Sequence, residues 1–334
     1  MKETSEFYQT FKTGNLLGEG NFSSVRECIL KKGEGIKYAV KMVKLSGSKE
    51  KKEDIKSMMQ GEVSVMQKLD CKNIIKCIDA FFGTNEILVV LEFTSDGDLY
   101  DYIINTQEVD EDKSRFVMYD IVSAVNYLHS KKIVHRDIKP ENFLIFPTNE
   151  GSKKIVKLCD FGLAVDARQI LTEVCGSPSY VAPEVLRMQN YGLPVDIWSC
   201  GIVLYILLCH FPPFYGESTK KLFSKIMRGN YDFPSPYWDD ISENAKDLIT
   251  RMLVVKDDRR IKSEEVVRHP WFNEEKVSIE DGEAETERKA SSMSLRGVAI
   301  AVRCMQRFAE PVRKPAREQA ILSVSFVKSC ELEK

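Results

Sequence analysis

The chain has 334 residues, 43% of them hydrophobic, with 48 Lys and Arg against 50 Asp and Glu. That content builds a sizeable core and differs from a disordered composition. A net charge of −2 gives no reason to expect bulk attraction to nucleic acid or to a membrane surface. The nine cysteines form no close Cys-x-x-Cys pair and the four histidines are scattered, so no zinc spacing arises. Reduced thiols in a cytoplasmic protein are expected, with a nuclear share left open.

In chain order, Met1-Lys2-Glu3-Thr4-Ser5 lacks the apolar run of an export signal and the second-position glycine of myristoylation. Apolar, β-branched stretches at Gly14–Leu17, Val25–Leu30, Tyr38–Val43, Ile74–Phe82 and Ile87–Phe93 predict strands, with a helix between them from about Asp54 to Leu69. After Ser95-Asp96-Gly97 the period lengthens. Val117, Ile121, Ala124, Val125 and Leu128 share one helix face, as do Ala245, Leu248, Ile249, Met252 and Leu253. The longest strongly apolar stretch, Ile197–Cys209, is broken by Ser199 and Gly201. It falls short of the ~20 residues of a membrane span and predicts a buried helix. No internal repeat is present, and the compact region ends near Trp271-Phe272, before the acidic stretch from Asn273 to Glu287.

Chemistry concentrates in three places. Gly18-Glu19-Gly20-Asn21-Phe22-Ser23-Ser24-Val25 lies between the first two strands, and a glycine hairpin lets backbone N–H groups approach phosphate oxygens. A dinucleotide-binding loop would need a helix directly afterwards, where Val25–Leu30 reads as strand. In Tyr38-Ala39-Val40-Lys41 the lysine is either a surface charge or a phosphate ligand; the second role needs a carboxylate to hold its stem, and Glu62 is the natural partner. The strongest signal is His135-Arg136-Asp137-Ile138-Lys139-Pro140-Glu141-Asn142, followed by Asp160-Phe161-Gly162. Phosphoryl transfer needs a carboxylate to orient and deprotonate a hydroxyl, oxygen ligands for Mg²⁺, and a cation for the moving group. Asp137, the pair Asn142 and Asp160, and Lys139 fit these needs in turn.

On these motifs, with Ala182-Pro183-Glu184, Asp196 and Arg260, the chain from about Phe11 to Phe272 resembles a eukaryotic protein kinase. The resemblance implies an α+β bilobal fold: a small β-sheet lobe with one helix (11–94) over a large, mainly helical lobe (95–272), with Mg-ATP between them. It implies nucleotide contacts from Leu17, Gly18, Glu19, Gly20, Asn21, Phe22, Ser23, Ser24, Val25, Ala39 and Lys41. Leu91 would be the gatekeeper, backbone groups near Glu92 and Thr94 would meet adenine, and Asp98 would reach the ribose or a substrate arginine. Asn142 and Asp160 would hold the metal, Glu184 would pair with Arg260, and Asp196 would brace the catalytic loop. Lys139 and Gly176-Ser177-Pro178 resemble the serine/threonine branch. Ser95 to Tyr102, the connection from Phe146 to Lys154 and Ser177 to Val181 are similar to the calcium/calmodulin-dependent group. By the same resemblance Asp98, Glu141 and Glu217 sit where related kinases meet arginines; each alone could be solvated surface charge, and together they favour basic substrates such as Arg-x-x-Ser/Thr. Where many relatives carry a phosphorylated threonine, this chain has Glu173, whose fixed charge could pair with Arg136; phosphorylation of neighbouring Thr172 is the alternative.

Residues 273–292 read as an acidic linker and 293–334 as a tail with a basic amphipathic helix. Arg296, Arg303 and Arg307 form one stripe beside Leu295, Val298, Ala299, Val302 and Met305, and Pro311 marks the stop. Such a helix at 293–310 suits calmodulin, packing on the large lobe, or a membrane surface. Autoinhibition through the acidic substrate groove is a further expectation, and Ser291 after Arg288-Lys289-Ala290 is a candidate autophosphorylation site. No calcium-binding loop has the EF-hand spacing, so a calcium response would need a separate sensor. A different class stays open: a pseudokinase scaffold that binds nucleotide or partners, favoured by Ser23 in place of the loop's third glycine.

Overall fold

The computed structural model describes residues 2–19, 23–32, 35–106, 110–148 and 154–273. Extended apolar segments pair into one antiparallel sheet of β1 (Phe11–Glu19), β2 (Ser23–Leu30), β3 (Lys37–Lys44), β4 (Cys77–Phe82) and β5 (Glu86–Glu92), in the order β1-β2-β3-β5-β4. The sheet's two faces are covered by different helices. On one, α2 (Lys49–Met66) packs Met59 and Val63 against Val43, Ala80, Phe82, Ile87 and Val89. On the other, α1 (Thr4–Thr10) drops Phe7 among Phe11, Cys28, Val40, Phe81, Leu88 and Val90.

Strand ends shift by one to three residues from the sequence reading, β1 most of all, and three further differences have a physical cause. Helix α2 starts at Lys49, ahead of Asp54, because the Ser48 hydroxyl caps it by accepting from Lys51 N at 3.3 Å. Its first turns, Lys49 to Asp54, are polar on every side and give no periodic signal. Strand β4 starts at Cys77, not Ile74, because the preceding residues are stitched to the other lobe. Ile75 N donates to Leu158 O at 2.9 Å and Leu158 N donates to Asn73 O at 2.8 Å. Helix α1 was not anticipated, and the small lobe reaches back to Lys2, whose Nζ pairs with Asp79 at 2.5 Å.

The larger lobe contains α3 (Leu99–Asn105), α4 (Glu111–Ser130), β6 (Ile133–Val134), β7 (Phe143–Pro147), β8 (Lys154–Leu158), β9 (Val165–Asp166), α5 (Pro183–Leu186), α6 (Pro194–Cys209), α7 (Thr219–Arg228), α8 (Glu243–Met252) and α9 (Ser263–Val266). Its axis is α6, whose side chains from Val195 to Cys209 are all buried, as the apolar stretch predicted. Helix α8 crosses it closely at Gly201, where a Cβ would come within 2.8 Å of Leu253 and 2.9 Å of Met252. The two expected helix faces are the buried faces of α4 and α8, except that Val117 is only partly covered. The result is the expected α+β, two-lobed architecture. Among the described residues no helix is long and apolar enough to cross a membrane, and the cysteines are free thiols. The loop tip Gly20-Asn21-Phe22, the linker from 274, the candidate site Ser291 and the tail helix lie outside the described residues.

Candidate active site

Strand pairing sets the roof of the cleft between the lobes. Val25 stands opposite Lys41, and Ala39 opposite Leu91, so these residues of β2, β3 and β5 share adjacent positions. Gly18 pairs with Val25 and Glu19 with Ser24, leaving Ser23 at the start of β2; a Cβ added at Gly18 would meet nothing within 4 Å. Leu17, in β1, is exposed. Lys41 Nζ lies 2.8 Å from Glu62 Oε1 on α2 and 3.6 Å from Asp160 Oδ1. Burial works against the Lys41 ammonium, but Asp160 and Glu62 outweigh it and hold its pKa above the ordinary lysine value. Lys41 in turn holds the Asp160 carboxyl below its usual range.

The catalytic loop between β6 and β7 is anchored from below. Asp196, buried on α6, accepts from His135 N and Arg136 N, both at 2.9 Å, and lies 3.1 Å from His129 Nε2. Arg136 and Asp160 both adopt left-handed backbone, φ +70° and +59°, a conformation non-glycine residues hold only when their surroundings enforce it. Phe161, next to Asp160, is buried edge-to-face on the His135 ring at 5.2 Å. Asp137 is then held in place by donors on both of its oxygens. Its Oδ2 faces Lys139 Nζ at 2.8 Å and Asn142 Nδ2 at 3.1 Å, and its Oδ1 accepts from Ser177 N at 3.1 Å and Ser177 Oγ at 2.9 Å. Lys139 Nζ also donates to Ser177 Oγ at 2.9 Å. Sequence reading valued Ser177 only as a mark of the family branch; its bonds to this loop span 38 and 40 residues, and no local pattern carries them.

Asn142 Nδ2 also donates to Asp137 O at 2.7 Å, which leaves its amide oxygen for another partner. That oxygen and the Asp160 carboxylate are an all-oxygen donor pair. Such a pair suits Mg²⁺, a hard ion that keeps water and phosphate ligands and needs few protein groups. Among the described residues no group of three or more His, Cys, Asp or Glu gathers elsewhere as a cation cage.

The connection between the lobes is fastened from behind. Thr94 Oγ1 donates to Ile145 O at 2.5 Å, the Glu92 carboxylate pairs with Lys157, and Asp96 pairs with Lys154 at 2.9 Å. The Glu92 side chain is therefore engaged with the large lobe. Asp98 caps α3 by accepting from Asp101 N at 2.8 Å, and burial raises its pKa. Glu141 sits close enough for Asp98 to add to the upward shift that burial imposes on it, against the pull of Lys139. Its buried Oε2 has no hydrogen-bond partner among the described residues. Glu217 does not share that environment: it is 83% exposed and paired with Lys221. Glu184 and Arg260 form a buried, two-pronged pair at 2.7 and 2.9 Å, as expected. Glu173 Oε2 lies 3.3 Å from Arg136 Nη1; Thr172 is exposed beside it.

A two-lobed fold with this cleft defines a protein kinase, and comparison with known families agrees. The model of the protein kinase domain matches residues 11–272, so the chain belongs to that family. It is similar to serine/threonine-protein kinase DCLK1 of Rattus norvegicus and of Mus musculus, 43% identical to each over 285 residues, or 85% of this chain. It is also similar to serine/threonine-protein kinase DCLK3 of Homo sapiens, 41% identical over 264 residues, 78% of this chain and 40% of that protein. The matched part is 63% of the rat protein and 36% of the mouse one, so the chain spans well under the full length of these relatives.

Proposed function

We propose that this chain is an ATP-dependent protein serine/threonine kinase. The observation that carries the reading is the convergence of Lys41, Asp137, Lys139, Asn142 and Asp160 in one cleft, with Glu62 steadying Lys41. Lys41 binds phosphate oxygens of ATP beneath β1 and β2. Asn142 and Asp160 would hold Mg²⁺, which supplies charge neutralisation for the phosphates. Asp137 orients the substrate hydroxyl and accepts its proton as that oxygen bonds to the terminal phosphorus and the bond to the departing diphosphate breaks. Lys139 offsets charge on the group in transit. That the similar proteins are serine/threonine-protein kinases supports the assignment to serine and threonine.

The test is transfer of labelled phosphate from ATP to a basic peptide by wild type and Asp137→Asn. We expect transfer to fall at least about 1000-fold with nucleotide binding retained. If neither protein transfers phosphate to peptide or to itself while nucleotide is bound, the scaffold reading replaces this one.

The finer reading has three parts. The substrate is basic, because the unpartnered Glu141 oxygen beside Asp98 suits an arginine. Activity does not strictly require phosphorylation of the activation segment, because Glu173 already reaches Arg136; unchanged activity in Glu173→Ala would remove that argument. The basic tail inhibits by occupying the acidic groove, and calcium-loaded calmodulin relieves it by taking residues 293–310. The tail's charge and apolar stripe support this. Truncation near Glu283 is expected to raise basal activity and abolish any response to calcium-calmodulin.

A further inference from the structure

One residue that neither the kinase motifs nor the catalytic reading uses sits at the crossing of three segments. Tyr191, in the turn between α5 and α6, is only 7% exposed. Its main-chain N–H donates to Leu171 O at 3.1 Å. Its hydroxyl donates to Glu173 O at 2.7 Å and accepts from Arg136 Nη1 at 3.1 Å, with Cys175 Sγ at 3.8 Å. Arg136 Nε meanwhile donates to Leu163 O at 2.7 Å, near the start of the activation segment. One side chain therefore joins the middle of that segment, the catalytic loop and, through Arg136, the segment's beginning. Directly beyond the junction, Gly176 crosses so close to the catalytic loop that a Cβ would lie 2.6 Å from Arg136 O, and Ser177 then reaches Asp137.

The relative strength of the two Arg136 contacts follows from their surroundings. The Glu173 carboxylate is 76% exposed and 3.3 Å away, so water and salt screen it. The Tyr191 hydroxyl meets a guanidinium that is itself 8% exposed, at 3.1 Å in a dry site, where a hydrogen bond to a charged group counts for more. We propose that the Tyr191 hydroxyl is a positioning group for substrate phosphorylation, clamping residues 171–175 to Arg136 so that Ser177 and Asp137 face the acceptor without a phosphate on the segment. This rests on the kinase reading and deepens its regulatory part: the clamp is built into the fold, and the Glu173 charge is its lesser half.

The experiment uses the full chain and the variants Tyr191→Phe, Glu173→Ala and the double variant. Tyr191→Phe is expected to lower kcat/KM for a basic peptide about tenfold, with KM for ATP within about twofold of wild type. Glu173→Ala should cost less than Tyr191→Phe. Limited trypsin cleavage after the exposed Arg168 reports the segment without using activity, and it should run severalfold faster in Tyr191→Phe. Peptide kinetics and cleavage both equal to wild type would overturn the clamp. So would a parallel loss of melting temperature and ATP affinity, which marks general loosening. If wild type itself transfers no phosphate, the kinase reading fails, and cleavage at Arg168 alone decides the clamp.

Discussion

Within the cleft, individual side chains differ sharply in how far they can be altered. Gly176 is among the least tolerant: at φ +96° and 2.6 Å from Arg136 O, a Cβ brings both backbone strain and a clash. Gly176→Ala is expected to reduce peptide phosphorylation at least about tenfold and to lower the melting temperature, measurable by kinetics and calorimetry on one preparation. Glu141 gives a pH signature. Burial raises its pKa, so it loses its charge at a higher pH than an ordinary carboxylate does, and its attraction for an arginine weakens as pH falls. KM for an arginine-bearing peptide should rise on going from pH 7 toward 5, while Glu141→Gln should show a high and flatter KM across the same interval. The gathering of Asp137, Lys139 and Asn142 could be expected from the chain because these residues lie within one short, distinctive string. Ser177 and Tyr191 could not, since their bonds reach 40 and 55 residues away and are fixed only by the path of the folded segment.

Elements show the same division between periodic and non-local information. The buried face of α8 and the wholly buried α6 follow from the spacing and length of their apolar residues. The start of α2 and the shortening of β4 depend on a cap and on ties to β8, which hydrophobic spacing does not encode. Between elements, Glu111 at the start of α4 is a hub. It accepts from Ser242 Oγ at 2.6 Å and Trp271 Nε1 at 2.7 Å through Oε1, and from Ser242 N at 3.0 Å through Oε2. It thereby joins α4, the cap of α8 and the last described turn. Glu111→Ala would strand donors in partly buried surroundings, and a loss of about 2 kcal/mol in denaturant unfolding is expected. Glu111→Gln, which keeps an acceptor oxygen, should lose less.

For the molecule as a whole, the two lobes are joined behind the cleft by Glu92 with Lys157, Thr94 with Ile145 and Asp96 with Lys154. They are joined across it by Asp160, which stands on the large lobe and faces Lys41 of the small one. The strand-rich start and the helix-rich remainder were legible because they differ in period, and the two-lobed plan followed from the family resemblance. The reach of the small lobe was not. Phe7 is fully buried against the sheet, yet only short, mostly polar sequence surrounds it. Phe7→Ala is expected to cost about 3 to 5 kcal/mol of small-lobe stability, read as a lower thermal midpoint with the Asp137 chemistry left in place. The family match begins at residue 11, after this anchor. A fragment trimmed to that boundary would lose the plug from the back of the sheet that carries Lys41. Its sluggishness would then mimic inhibition while arising from a loosened roof, so any comparison meant to expose a brake at the far end of the chain should keep residues 2–10 in both partners.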